Sequence, residues 1–184
     1  MSSIIRIYNS SEINSRTFDG FSTTLRKVFS VPVSIANVSL NLEDAYDSGR
    51  EQYNSTALLA KLLNTFDTSN NKSIIVVDVD LYIPVLTFVF GEAQLDGSAA
   101  VVSTHRLKNQ YYGLPKDDTL MEVRLEKEIV HELGHTFGMY HCQDYECVMK
   151  SSTYVEEIDL KKTVPCRACQ QILDENIGKK SRIE

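Results

Sequence analysis

Hydrophobic and polar positions change their period several times along the chain, and each change marks an element. Ile4, Ile5, Ile7 and Tyr8 form a short apolar run that predicts a first strand. Phe18, Phe21, Leu25, Val28 and Phe29 then recur at helical spacing, predicting an amphipathic helix over 16–29. Val31, Val33, Ile35 and Val38 approximate a second strand, with Pro32 at its start. The polar stretch 41–54, which contains Gly49, reads as a loop or lid, and Ser55 is placed to cap a helix carrying Leu58, Leu59, Leu62, Leu63 and Phe66. A turn at 68–72 precedes Ile74–Val79, whose continuous β-branched run suits a buried parallel strand. Leu86–Phe90 and Ala99–Thr104 read as two further strands.

Beyond them the period returns to that of a helix. Thr119 and Glu122 form a capping-box pair ahead of Val123, Leu125, Ile129, Val130, Leu133 and Phe137. A last helix is predicted from near Pro165, ending around Gly178, Lys179 and Lys180 in a frayed tail. Strands alternating with helices imply an α/β (α+β) fold, a twisted mixed sheet with helices packed on it. There is no internal repeat. At 184 residues and 42% hydrophobic content the chain suffices for one domain with a proper core.

Lys+Arg of 19 against Asp+Glu of 25 leaves a net charge of −6, which argues against nucleic-acid and anionic-membrane partners. No apolar run reaches bilayer length, and residues 1–10 lack the layout of a targeting signal, so the expected location is the cytoplasm.

The chain holds four Cys and four His, and all the Cys and three of the His fall between His131 and Cys169. That clustering points to metal chemistry. His131-Glu132-Leu133-Gly134-His135 matches H-E-x-x-H, which on a helix brings two imidazoles to one face within reach of one ion. Glu132 is then placed to take a proton from metal-activated water and pass it to a leaving amine. Gly138 can stop the helix and turn the chain so that His141 becomes a third ligand, leaving one position open as catalysis requires. Cys142, Cys147, Cys166 and Cys169 follow as two close pairs, a spacing that fits a closed structural zinc site; two disulfides are the competing reading.

These residues, His131, Glu132, His135, Gly138 and His141 followed by Cys142, Cys147, Met149, Cys166 and Cys169, resemble the archaemetzincins of the metzincin clan of zinc peptidases. The match is dense over 131–169. It implies a metzincin-like fold, with a sheet-containing part over 1–138 and a smaller C-terminal helical part over 139–184 within a single catalytic domain. It also implies two zinc ions per chain: a catalytic one on the three His with Glu132 as general base, and a structural one on the four Cys. Met149 would form the clan's Met-turn beneath the catalytic metal. An edge strand, Leu86–Phe90 or Ala99–Thr104, would bind extended peptide. The chain departs from the pattern in having Ser151 where some metzincins carry a tyrosine, and in a spacer of 16 residues between Met149 and Cys166. Tyr154 stands nearby at the wrong spacing. The implied activity is hydrolysis of peptides, aminopeptidase-like. Holding a free amine would need an acidic group, for which Glu43, Asp44, Asp47, Glu51 and Glu92 are available. His105 and Arg106 have no assigned role. The alternative is a catalytically silent or gated zinc protein that binds peptides or a protein partner, and the retained Glu132 favours catalysis over it.

Overall fold

The computed structural model describes residues 4–180. In chain order its elements are β1 (Ile4–Asn9), α1 (Ser15–Phe29), β2 (Val33–Asn37), β3 (Tyr46–Asp47), β4 (Gln52–Asn54), α2 (Ser55–Thr65), β5 (Asn71–Val77), β6 (Leu81–Tyr82), β7 (Gly91–Ala93), β8 (Ala99–Ser103), α3 (Asp118–Thr136), α4 (Val155–Leu160) and α5 (Arg167–Lys180). A five-stranded sheet runs in the order β2-β1-β5-β8-β7, parallel except for β7, which closes one edge antiparallel to β8. Alternation along the strands feeds two cores. Ile5, Ile7, Ile74, Val76, Ala100 and Val102 pack against α1 and α3 on one face. Ile75, Val77, Ala99 and Val101 pack against α2 on the other. All seven residues of β5 are buried, as expected of a central parallel strand covered on both sides. The expected mixed α/β architecture is therefore present.

The main elements fall where hydrophobic period placed them, and the differences lie where polar groups decide. Region 41–54 is not a loop or lid. β3 and β4 form a hairpin, and β4 pairs in parallel with β6 to make a second, three-stranded sheet. The side chain of Gln52 fixes it by donating to Asp80 and to the Thr87 carbonyl. Leu86–Phe90 is not a strand: Val89 makes a single bridge to Leu81, and the strand begins only at Gly91. The α2 cap is Asn54, whose side chain accepts from the Ala57 N–H, while Ser55 is engaged with Tyr82 and Glu92. Asp117, not Thr119, caps α3 by accepting from Leu120, and Glu122 accepts from the Thr17 hydroxyl across to α1. Val123, expected on the apolar face, is 39% exposed. Helix α5 runs through Gly178 to Lys180, and the tail at 181–184 lies outside the described residues. Among the described residues no helix is long and apolar enough to cross a membrane.

The C-terminal end of α3 is held by a buried cation. Lys72, on β5, donates to the carbonyls of Thr136 and Gly97, and its ammonium lies 5.2 Å from the centre of the Phe137 ring. A positive charge there satisfies an orphan carbonyl and complements the helix dipole. Phe137 in turn stacks on Phe29 of α1 at 4.9 Å, so the helix end is seated against sheet and helix together. Lys72→Met is expected to cost about 2–4 kcal/mol, because charge-assisted bonds to two carbonyls are lost. Equilibrium denaturant unfolding measures this, and a loss well under 1 kcal/mol would show that the lysine does not hold the helix end.

Candidate metal centres and cleft

Helix α3 delivers His131 and His135 from successive turns, and both rings are oriented by backbone. His131 Nδ1 lies 2.8 Å from the Val148 carbonyl and His135 Nδ1 lies 2.8 Å from the Met139 carbonyl. A carbonyl only accepts, so each Nδ1 carries the hydrogen and each Nε2 presents a bare lone pair. Those two Nε2 atoms stand 3.2 Å apart. Two facing lone pairs at that distance repel unless a cation lies between them. Burial pushes both histidines below the usual imidazole range, His131 furthest, so a proton does not readily take that place. Gly138, at φ +84°, turns the chain after α3, and His141 follows with its ring stacked on His131 at 5.3 Å between centres. The ligating atoms of His131, His135 and His141 lie within 4.8 Å of one another. This donor set fits a zinc ion with one position left open.

Glu132 is 5% exposed and hydrogen-bonds to no other described residue. Its carboxyl is held well above the usual carboxylate range by burial first, then by the neighbouring Glu128 and Glu92 carboxylates. It stands in the wall of a cleft of about 570 Å³ that the three histidines share.

Met149 is fully buried under the zinc helix. A Cβ on Gly134 would sit 2.5 Å from its Sδ, so glycine at that position is what lets the methionine approach the helix backbone. The same turn supplies the Val148 carbonyl to His131, and the Met149 carbonyl accepts from Cys142, next to His141.

The four cysteines come together as well. The sulfurs of Cys142, Cys147, Cys166 and Cys169 lie within 4.8 Å of one another, with Cys142 and Cys166 at 3.9 Å. Sulfurs at the corners of a tetrahedron with Zn–S bonds of about 2.3 Å stand about 3.8 Å apart, whereas bonded sulfurs stand at about 2.05 Å. The thiols divide by environment: burial pushes Cys147 up to about 11 and Cys169 higher still, while a backbone N–H bond from Cys169 lowers Cys166.

β7 forms the free edge of the main sheet beside the cleft. β8 (Ala99–Ser103) is interior, paired on both sides, and so is not the edge strand that its sequence suggested. Ser103 N–H donates to Phe90 and Gln94 N–H donates to Ala99. By the alternation of an antiparallel ladder, the N–H and C=O groups of Gly91 and Ala93 then face outward. The side chain of Glu92 points to the opposite face, accepting from the Ser55 and Thr56 hydroxyls at the start of α2. The acids of region 41–54 lie elsewhere: Asp44 pairs with Lys61, and Asp47 accepts from Tyr82. His105 meets Tyr111 edge-on and Arg106 pairs with Asp80, both outside the cleft lining. Tyr154 is 65% exposed and also outside it. Glu128 and the pair Ser152 and Thr153 are among the parts of the wall that sequence reading missed, as are Leu95 and Tyr140. Helical spacing from His131 and Glu132 could have found Glu128; nothing in the local pattern marks Ser152 and Thr153.

Residues 3–175 match the peptidase family M54. The archaemetzincin of Methanocaldococcus jannaschii is 39% identical over 131 residues, covering 71% of each chain. That of Natronomonas pharaonis is 37% identical over 153 residues, covering 82% of this chain and 87% of its own. Among solved structures, the archaemetzincin of Methanopyrus kandleri superposes with a TM-score of 0.84 at 35% identity, covering 96% of both chains. A zinc-dependent peptidase from Methanocorpusculum labreanum gives 0.82 at 31% identity, covering 92% of this chain and 99% of its own.

A Cβ on Gly91 would lie 2.7 Å from both the Glu132 carboxylate and the Val101 carbonyl. Gly91→Ala is therefore expected to cost about 1–3 kcal/mol by overpacking and to displace Glu132 or the edge strand. Denaturant unfolding with a crystal structure of the variant checks it, and unchanged stability with Glu132 in place would refute the tight fit.

Proposed function

The chain belongs to peptidase family M54 and is a zinc metallopeptidase, and on that premise we propose that it hydrolyses peptides at the cleft of the three histidines, with Glu132 as general base. The observation that carries the reading is the pair of bare imidazole nitrogens facing each other at 3.2 Å beside an otherwise unpartnered buried carboxylate. His131, His135 and His141 would hold the catalytic zinc. When bound, that ion supplies Lewis acidity for the scissile carbonyl and lowers the pKa of water in the site. Glu132 takes a proton from water in the cleft and hands it to the departing amine. Its burial raises its basicity, and the absence of a competing hydrogen bond leaves its oxygens free for that exchange.

We read the substrate as an extended strand laid along β7, whose outward N–H and C=O groups at Gly91 and Ala93 offer antiparallel pairing. Trimming from the N-terminal end is the proposed mode, supported by the Glu128 and Glu132 carboxylates in the cleft wall, which favour an amine over a carboxylate. The four cysteines would hold a second, structural zinc that braces the smaller part, 139–184, against the sheet-containing part, 1–138, in one catalytic unit. Ser151 carries no counterpart of an oxyanion-stabilising phenol, which leaves that task to the zinc site.

Glu132→Ala should lower turnover by at least about a thousandfold with zinc retained, as expected when a proton-transfer group is lost. Mass spectrometry of a diverse peptide mixture checks this, and the new termini tell trimming from internal cleavage; equal cleavage by both proteins would rule out the general base. The purified protein is expected to carry two zinc ions per chain, Cys166→Ser and His135→Ala one each. Because Cys147 and Cys169 must shed protons to bind, zinc at the cysteines should be released as pH falls from neutrality. Elemental analysis across a pH series tests it, and zinc release independent of pH would exclude thiolate ligands.

A further inference from the structure

Glu128 precedes Glu132 by four residues and His131 by three, so the three side chains share one face of α3. Its side chain is 4% exposed and forms part of the cleft wall. Its partner is Lys161, 1% exposed, which follows α4 directly and reaches to 3.6 Å. That gap exceeds hydrogen-bond reach, and neither Glu128 Oε1 nor Lys161 Nζ has a hydrogen-bond partner. The neighbouring cations of α3 are satisfied: Lys127 donates to the Ile158 and Asp159 carbonyls, and Arg124 is bidentate to Asp159. A buried ion pair with unfilled hydrogen-bonding capacity costs stability, and apolar residues of similar size often serve a core better. Of these charged groups, Glu128 is the one that reaches the cleft.

We propose that Glu128 determines specificity, accepting a hydrogen bond from a substrate side chain seated next to the scissile bond. The favoured residues end in a donor, lysine or glutamine, and are preferred over apolar residues of similar length. Lys161 holds the carboxylate from behind. A methionine side chain in the same place strips solvent from Glu128 and gives no bond in return. Sites built around a polar group reject partners lacking it more strongly than apolar pockets reject a methylene. The expected preference for lysine or glutamine over methionine is more than about a hundredfold.

The proposal rests on the peptidase reading, so its test reads binding as well as cleavage. Peptides that differ only in lysine, glutamine, methionine or glutamate at one position, each with a free or an acetylated N-terminus, are incubated with the zinc-loaded protein and analysed by mass spectrometry. Their affinity for the zinc-loaded Glu132→Gln protein is measured by fluorescence anisotropy. Two variants accompany each arm: Glu128→Gln, which keeps the shape, and the double variant Glu128→Met with Lys161→Met, which removes both charges and leaves no unpaired buried cation. The expected result is a ranking of lysine and glutamine over methionine in both arms, with glutamate last. Glu128→Gln should lose the preference for lysine while still accepting glutamine, and the double variant should invert the ranking toward methionine. A ranking unchanged in both variants overturns the proposal. So does a preference that vanishes on acetylation, because the donor is then the terminal amine. Preferential binding without any cleavage overturns the peptidase reading alone and supports the role of Glu128.

Discussion

Two hydrogen bonds from imidazole to backbone decide what the cleft can do. The carbonyls of Val148 and Met139 fix the tautomers of His131 and His135 and aim their bare nitrogens at one point. Helix spacing alone would bring the rings to one face but leave their rotation and tautomer free. Both carbonyls come from chain that lies beyond the helix, so the site is made by the C-terminal segment as much as by α3. That segment is tethered where it matters: Cys142 adjoins His141 and donates its N–H to the Met149 carbonyl, and Cys147 lies two residues before Met149. A metal on the four sulfurs would thus brace the same turn that orients His131, which gives a physical reason for the cysteines to follow directly on the histidines along the chain.

The cost of this arrangement falls on α3. From Arg124 onward nearly every residue of the helix is buried, including Arg124, Lys127, Glu128, His131 and Glu132. An ordinary surface helix keeps such groups in water. Arg124 and Lys127 recover hydrogen bonds from Asp159 and from the carbonyls of α4, and Lys72 recovers the end of the helix. Among the charged groups packed along the helix, Glu128 and Lys161 are left without a hydrogen bond, and the Glu128 and Glu132 carboxylates both line the cleft. Buried polar groups are normally paired, so an unpaired charged group in a cleft wall is a candidate for chemistry or recognition.

Hydrophobic period made most of the fold legible. The strands at Ile4–Asn9 and Ala99–Ser103 and the helices α1, α2 and α3 fall within a few residues of where their apolar residues recur. The three histidines and four cysteines were legible for another reason, since metal ligands need particular residue types at particular spacings. What escaped was held by polar contacts distant in sequence. The β3–β4 hairpin depends on Gln52 reaching Asp80 and Thr87, and no local period records that. The caps at Asn54 and Asp117 went to Ser55 and Thr119 because neighbouring residues all had capping chemistry, and only the geometry chooses among them. The edge strand was displaced to Gly91–Ala93 because edge or centre is a property of topology, which the residues of one strand do not carry. Lys161 had no signal at all, as its significance lies in what it approaches.

Two glycines then set the distances on which the chemistry turns. At Gly91 the edge strand comes close enough to α3 that a methyl group would strike the Glu132 carboxylate, and at Gly134 the helix comes close enough to the turn at Met149 that a methyl group would strike its sulfur. The helix is gripped from the sheet edge on one side and from the C-terminal turn on the other. A peptide paired to the outward edge of β7 would therefore be held by the same strand that touches Glu132, so backbone pairing and that carboxylate would share one reference. The second contact bears on the histidines, since the Val148 carbonyl orients His131 and the Met149 carbonyl accepts from Cys142, next to His141. On the proposed reading, substrate register would be set from the sheet and metal register from the turn, with α3 packed between them.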